Sequence, residues 1–141
     1  MSHDKSRLDK LTLLKANESN YPKSPSEAKL ETFVNQYPER DYVITFNCPE
    51  FTALCPVTGQ PDFGKITIRY IADKECVESK SLKLFLFSFR NHNSFHEEVV
   101  NIILTEIDKV CSPRWCEVEG DFMPRGGIAL NIKASVGKKP E

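Results

Sequence analysis

The sequence has no long apolar run and no excess of charge of either sign. Its densest apolar stretches, residues 84–87 and 99–104, fall far short of the roughly 20 residues that cross a bilayer, so a membrane-spanning helix is not expected. With 19 basic and 20 acidic residues the net charge is -1, and the chain lacks the overall positive field that drives nonspecific binding of nucleic acid. We therefore expect neither a membrane nor a nucleic acid as a direct partner.

Neither a secretory signal nor paired cysteines are apparent. The first seven residues are polar and mixed in charge, with no apolar segment behind them, and this predicts a cytoplasmic protein. The cysteines are odd in number, irregularly spaced and without a C-x-x-C pair, a pattern more typical of reduced thiols than of a disulfide framework or a zinc ribbon. They are Cys48, Cys55, Cys76, Cys111 and Cys116. One of these thiols is therefore available for chemistry.

What is present is 141 residues, 40% hydrophobic and 28% charged, an ordinary composition for one soluble domain. Residues 1–38 are charged and contain three of the nine prolines, so we interpret them as an N-terminal arm with one short helix predicted at 26–35. Residues 39–141 are the predicted folded domain.

Alternation of apolar and polar residues predicts four strands in this domain, near 42–47, 65–70, 115–122 and 128–132. The segment 49–64 between the first two is rich in proline and glycine and predicts a loop that the strands hold in place.

Two helices are predicted between the strand pairs, one after Glu78 and a second at about 95–110 that Pro113 ends. Ser94 and Glu97 have the spacing of a capping box at the start of the second helix. The order ββααββ predicts an α+β domain with an antiparallel sheet and helices on one face. Such a sheet has two open edges, and an oligomer that joins the sheets into a barrel would cover them.

Cys55 and Asp62 stand seven residues apart in the proline-rich loop. A thiol that attacks and an acid that moves a proton are what covalent catalysis on a polar multiple bond requires. The other interpretation is that Cys55 is a small buried hydrophobic residue, the usual fate of a free cysteine.

His96 and Glu97 open the second helix, where Glu97 has either a functional or only a capping role. His92 and His96 are four residues apart and could in principle share a metal. The pair lacks the H-E-x-x-H arrangement of zinc sites, and no metal is expected.

Lys80 and Lys83 lie three residues apart on the first helix, close in sequence to Arg90. They are candidates for binding a phosphate group, although most basic pairs on helices are solvated. The sequence contains no G-x-G-x-x-G or G-x-x-x-x-G-K motif, so a nucleotide would not be held in a Rossmann or P-loop manner.

Four segments together resemble a known family. They are ESKSLKLF at 78–85, CPVTGQPDF at 55–63, SFRNH at 88–92 and FHE at 95–97. The octapeptide fits every position of the signature of the single-module NADPH-dependent 7-cyano-7-deazaguanine reductases, and the resemblance covers about residues 40–133. It implies an oxidoreductase of queuosine tRNA-modification biosynthesis, a nitrile reductase that converts 7-cyano-7-deazaguanine to 7-aminomethyl-7-deazaguanine with two NADPH.

The resemblance also implies a fold and an assembly. The fold would be the tunnelling fold (T-fold), in which antiparallel sheets from several copies close into a barrel with active sites between subunits. The single-module members form paired pentameric rings, so a homo-oligomer, a decamer of two pentamers, is expected. Residues 39–141 would then be one tunnelling-fold catalytic domain.

The family's site residues transfer to matching positions. The resemblance implies Cys55 as the nucleophile that forms a covalent thioimide and Asp62 as the proton donor. The implied substrate contacts are Val77, Glu78, Ser79, His96 and Glu97. Lys80, Lys83 and Arg125 are our electrostatic candidates for the NADPH phosphates.

Other functions stay open from the residues alone. A cysteine enzyme could hydrolyse a thioimide with water as nitrilases do, although nitrilases resemble much longer chains. A zinc-dependent purine or pterin cyclohydrolase on the same fold would need a fuller set of cysteines and histidines. The alternative outside enzymology is a non-catalytic oligomeric binding module in which Cys55 is buried and Glu97 only caps a helix.

Overall fold

The computed structural model describes residues 21–140 of the chain. Its elements are β1 (Thr32–Val34), β2 (Ile44–Leu54), β3 (Pro61–Ile71), β4 (Glu75–Val77), α1 (Ser79–Phe87), α2 (His96–Cys111), β5 (Trp115–Arg125) and β6 (Ile128–Gly137). Neither helix in this part of the chain has the length and apolar content that crossing a membrane requires.

The four long strands form one antiparallel sheet in the order β2-β3-β5-β6. Hairpins join β2 to β3 and β5 to β6, and β3 pairs with β5 in the middle, where Ile68 stands opposite Val118. The predicted α+β class, with an antiparallel sheet and two helices, is confirmed. β2 and β6 are the two edges of the sheet.

Two short strands add to the predicted order, which becomes ββββααββ in residues 21–140. β1 pairs antiparallel with β4 in a separate two-stranded sheet. The helix predicted at 26–35 is therefore wrong. Backbone groups there pair with distant residues instead, since the Glu31 carbonyl accepts from the Glu78 N–H and the Asn35 N–H donates to the Lys74 carbonyl. β1 lies within the predicted arm, whose boundary stays a prediction.

α2 packs across β5 and β6 and covers one face of the sheet. Its buried residues are Val99, Val100, Ile103, Leu104, Ile107 and Cys111. Phe95, which immediately precedes α2, is 50% exposed and lies outside this buried stripe. On the other face of the sheet Arg69 forms ion pairs with Glu117 and Glu119, at 3.1 and 3.3 Å. One face is thus apolar and the other ionic, as in an antiparallel sheet with one solvated side.

β2 and β3 extend further into segment 49–64 than the sequence predicts, and only residues 55–60 form the loop between them. Pro49 cannot donate a ladder hydrogen bond, but β2 is an edge strand. Its register also shifts between Cys48 and Phe51, a bulge of the kind that accommodates proline. The long loop predicted there is therefore wrong.

The start of α2 differs from the predicted capping box. Phe95 occupies the N-cap position and makes no side-chain hydrogen bond, and the Ser94 hydroxyl is buried without a partner in residues 21–140. The backbone explains this difference. The Ser94 N–H donates to the Leu54 carbonyl, and the Leu54 N–H donates to the His92 carbonyl. These bonds tie the segment before α2 to the end of β2, so Ser94 is not the cap and Glu97 does not close a box.

Candidate active site

The Cys55 thiol is partly exposed at the start of the loop between β2 and β3. The Cys55 N–H donates to the Gln60 carbonyl, and the Cys55 carbonyl accepts from the Gly59 N–H, both at 2.8 Å. Hydrogen bonds from the Thr58 hydroxyl and from the backbone of Thr58 and Val57 lower the pKa of the Cys55 thiol. The thiolate is the nucleophilic form of cysteine, so this loop favours a reactive sulfur.

Three other cysteines have the opposite environment. Burial raises the pKa of Cys48, and it raises the pKa of both Cys111 and Cys116 to about 12. Buried thiols of this kind are inert. Among the cysteines with a shifted pKa, Cys55 alone is shifted towards the thiolate in residues 21–140.

Asp62 lies on β3 and not in a loop, directly opposite Ala53 of β2. It is only 5% exposed. One carboxylate oxygen, Oδ1, lies 2.7 Å from Arg125 Nε, and the other, Oδ2, lies 3.2 Å from His96 Nε2. Both oxygens of this buried acid therefore face a nitrogen-bearing side chain.

Cys55 and Asp62 belong to the same end of the sheet. Ala53, the cross-strand partner of Asp62, precedes Cys55 by two residues. The negative charge of Asp62 is close enough to oppose the lowering of the Cys55 thiol pKa. The structure therefore brings together the predicted nucleophile and the predicted proton donor.

His96 is the first residue of α2, and its ring stacks flat on Phe122 at 3.9 Å between centroids. Glu97 follows it and is exposed, with no hydrogen bond or ion pair to its side chain in residues 21–140. Glu97 is thus free to accept hydrogen bonds from a ligand beside Asp62.

The histidine pair does not share a helix, because His92 lies in the segment before α2 whereas His96 begins it. Across residues 21–140, no three side chains of His, Cys, Asp or Glu come together as ligands for a metal.

The predicted substrate contacts Val77, Glu78 and Ser79 lie at the start of α1. Val77 is buried at the end of β4, where its N–H donates to the Tyr70 hydroxyl at 2.9 Å. The Glu78 carboxylate caps α1 by accepting from two backbone N–H groups of the first turn, at 2.8 and 2.7 Å. Ser79 is exposed.

Val77 is anchored far from Asp62 within one chain. Tyr70, which holds Val77, is eight residues from Asp62 along β3, a distance of roughly 26 Å at the rise of a strand. A bicyclic base is much smaller than this distance. The structure therefore anchors Val77 at the opposite end of β3 from Asp62, whereas Ser79, further along the chain, faces a groove that Phe63, the neighbour of Asp62, also lines.

A groove of about 780 Å³ lies between α1 and the edge strand β2. Aromatic side chains line it, namely Phe46, Phe51, Phe63 and Phe87. Ser79, Lys83 and Arg90 also face it, whereas Lys80 is exposed on α1 outside this lining. Flat apolar walls with two cations suit a dinucleotide, whose rings stack and whose phosphates pair with positive charge.

Sequence reasoning missed the contact of Arg125 with Asp62. The Arg125 side chain also donates from Nη2 to the Pro61 carbonyl at 2.5 Å. The contact depends on the pairing of the third and fifth strands, which places the end of β5 beside the start of β3. The sequence does not reveal that pairing, so it carries no signal for this contact.

Residues 61–141 match the family model described as QueF-like protein. A Neisseria gonorrhoeae protein named NADPH-dependent 7-cyano-7-deazaguanine reductase is 51% identical over 138 residues, covering 98% of this chain and 88% of the relative. A Bacteroides thetaiotaomicron protein of the same name is 53% identical over 130 residues, covering 92% of this chain and 85% of the relative.

The crystal structure of the archaeosine synthase QueF-Like in the apo form superposes with a TM-score of 0.66 at 18% identity, covering 72% of this chain and all of that one. At this identity the likeness supports the fold alone. The family match and the relatives confirm the resemblance seen in the four segments. The chain therefore belongs to the QueF-like family, together with relatives named NADPH-dependent 7-cyano-7-deazaguanine reductase.

Proposed function

We propose that the protein reduces the nitrile of 7-cyano-7-deazaguanine to the aminomethyl group of 7-aminomethyl-7-deazaguanine with two NADPH, a step of queuosine biosynthesis. The names of its relatives support this activity. The observation that carries it is the Cys55 thiol, whose lowered pKa favours the thiolate, at the same end of the sheet as the buried Asp62 carboxylate. The cytoplasmic location expected from the sequence stays a prediction.

The first chemical step uses only residues of this chain and the nitrile. The Cys55 sulfur forms a bond to the nitrile carbon, one π bond of the C≡N group breaks, and Asp62 delivers a proton to the nitrogen. The product is a covalent thioimide on Cys55. NADPH, when bound, would supply the hydride that reduces this carbon, and after the thiol leaves a second NADPH would supply a hydride, and water a proton, to convert the imine to the amine.

Glu97 and His96 are proposed to orient the base. An exposed carboxylate can accept two N–H bonds from one edge of the deazaguanine, and charged acceptors form the stronger hydrogen bonds. A site built on such bonds rejects bases that lack the donors, because its polar groups would stay unpaired. Glu97 follows His96, which faces Asp62, so recognition of the base and proton delivery are adjacent.

A second copy of the chain is proposed to complete the substrate site. Val77 is held by Tyr70, roughly 26 Å along β3 from Asp62, and this separation supports contributions to one base from two chains. The open edges of β2 and β6 support joining sheets from several copies into the barrel of a tunnelling fold. We propose a homo-oligomer of two pentameric rings with sites between protomers.

Lys80 and Lys83 are proposed to bind the NADPH phosphates. Lys83 faces the aromatic groove between α1 and β2, which supports a dinucleotide there. Arg90 faces the same groove and is a further cation for this role. Arg125, the third cation predicted from the sequence for this role, is paired with Asp62 in this structure.

The proposal is tested by turnover of the purified protein. Protein mixed with 7-cyano-7-deazaguanine and NADPH should consume two NADPH per nitrile and form the amine, as followed by absorbance and mass spectrometry. Ammonia release without NADPH consumption would instead identify a hydrolase. Binding of the base with neither reaction, by a folded oligomer, would identify a non-catalytic module.

A further inference from the structure

The Arg125 guanidinium contacts two residues of β3, the proposed proton donor Asp62 and its neighbour Pro61. Its Nε lies 2.7 Å from Asp62 Oδ1, and its Nη2 donates to the Pro61 carbonyl at 2.5 Å. The side chain is 39% exposed, whereas the Asp62 side chain is 6% exposed. Arg125 therefore lies over Asp62 at the border between the protein interior and solvent.

The hairpin between β5 and β6 places Arg125 there. The register of these strands shifts between Phe122 and Arg125, and Arg125 then pairs with Ile128. The two residues between them, Gly126 and Gly127, both have positive φ angles, 57° and 81°. Two successive left-handed residues make a tight turn that favours glycine. The turn thus fixes the last residue of β5 beside the first residues of β3.

We propose that Arg125 is a positioning residue for Asp62, an inference that rests on the proposed nitrile reduction. A buried carboxylate needs partners, because an unpaired charge in the interior is strongly unfavourable. The Arg125 guanidinium forms an ion pair with Oδ1, whereas His96 Nε2 lies 3.2 Å from Oδ2 without a hydrogen bond to it, so Arg125 is the charged partner that holds this carboxyl group. The bond from Arg125 to Pro61 also holds the end of the loop that contains Cys55.

The geometry matters because the first step needs the carboxyl group in two forms. As Cys55 attacks, its thiol proton passes to a carboxylate oxygen of Asp62, and the same group then gives the proton to the nitrile nitrogen. The S–H bond and one π bond of the C≡N group break, an S–C bond and an N–H bond form, and Asp62 is again the carboxylate paired with Arg125. No external acid or reductant enters this step.

This role differs from a phosphate contact in the step that it affects. The thioimide forms before any hydride is transferred, so its formation can be measured without NADPH. A residue that only binds the dinucleotide cannot alter that rate, whereas a residue that positions Asp62 must alter it.

The experiment compares the variants Arg125→Gln and Arg125→Lys with the unchanged full-length protein. Intact-mass spectrometry follows adduct formation with 7-cyano-7-deazaguanine in the absence of NADPH. We expect Arg125→Gln to form the adduct about 10 to 100 times more slowly, the loss that misplacing a reacting group produces. Arg125→Lys retains the charge but cannot reach both Asp62 and Pro61, so it should recover part of the rate. Both variants should lower kcat.

Arg40→Gln is the matched control, since this arginine stacks over Tyr37 and has no contact with Asp62. It should form the adduct at the unchanged rate. An adduct rate unaltered in Arg125→Gln, with only the KM for NADPH raised, would overturn the proposal and leave Arg125 as a phosphate contact.

Failure of the proposed function has a different signature, since the unchanged protein would then form no adduct. Circular dichroism and the oligomer size check folding of each variant. If Arg125→Gln does not fold, Arg125→Lys carries the test, and an unaltered adduct rate in that variant overturns the proposal equally.

Discussion

Cysteines near the two ends of strand β3 have thiol pKa values that are shifted in opposite directions. At the Asp62 end, hydrogen bonds in the loop lower the pKa of the Cys55 thiol. At the Tyr70 end, burial raises the pKa of Cys111 and of Cys116 to about 12. A cysteine near a polar loop and a cysteine in the core thus differ in ionisation although they belong to one small domain. Hydrogen bonds from the Thr58 hydroxyl and from the backbone of Thr58 and Val57 favour the Cys55 thiolate, whereas burial disfavours the thiolates of Cys111 and Cys116.

The largest expected effect comes from a substitution that removes the Cys55 sulfur. Cys55→Ala should abolish adduct formation and lower kcat by about four orders of magnitude or more, as removal of a nucleophile does. Cys116→Ala, at the other end of β3, should still form the adduct. Intact-mass spectrometry measures both, and an adduct on the Cys55→Ala protein would contradict the assignment.

The next effect tests the acid. Asp62→Asn keeps the shape of the side chain but cannot carry the proton, so turnover should fall by about 100- to 10,000-fold. Stopped-flow measurement of NADPH consumption gives the rate. Asp121→Asn, which changes an exposed carboxylate on β5, is the control and should retain normal turnover. Normal turnover by Asp62→Asn would remove Asp62 as the proton donor.

A smaller effect is expected in a test of whether one site combines Cys55 of one copy with Ser79 of a neighbouring copy. Ser79→Arg should block the substrate group at the start of α1, and alone it should be inactive, as should Cys55→Ala. Mixed oligomers refolded from equal amounts should regain roughly one quarter of the activity, because one site in four then combines two intact groups from different chains. Continued inactivity of verified mixed oligomers would place both groups in one protomer.

The smallest effect concerns the loop hydrogen bonds. Thr58→Val removes the hydroxyl that donates to the Cys55 sulfur, so the pKa of Cys55 should rise. Because labelling requires the thiolate, alkylation of Cys55 near neutral pH should slow several-fold, and its pH profile should move to higher pH. Thr52→Val, on β2 and away from the sulfur, should leave the profile unchanged. An unmoved profile in Thr58→Val would show that the hydroxyl does not stabilise the thiolate.

Much of the fold could be predicted, because side chains with one buried face leave a regular pattern. The alternation near 65–70 and 115–122 marked the two central strands correctly, and helical spacing marked α2. The failures are places where distant backbone decides. Within the segment 26–35, residues 32–34 form a strand and not a helix, because Glu31 and Asn35 pair with the segment around β4.

The site was predictable in its parts but not in its arrangement. Cys55 and Asp62 are close in sequence, and a hairpin keeps them close in space. Arg125 is 63 positions from Asp62 along the chain, and only the pairing of β3 with β5 brings them together. The distance between Asp62 and Tyr70, which holds Val77, likewise depends on the length of β3, which the sequence underestimated.

The backbone bonds between Leu54 and the segment of His92 and Ser94 have a mechanical consequence. Leu54, the residue before Cys55, donates to the His92 carbonyl and accepts from the Ser94 N–H, so the backbone that carries the proposed nucleophile is tied to the backbone that leads to Glu97. If Glu97 binds the base as proposed, these backbone bonds help to set the position of the base relative to the Cys55 sulfur. Under the proposed roles, a change in this short backbone segment should therefore alter both the selection of the base and the rate of attack.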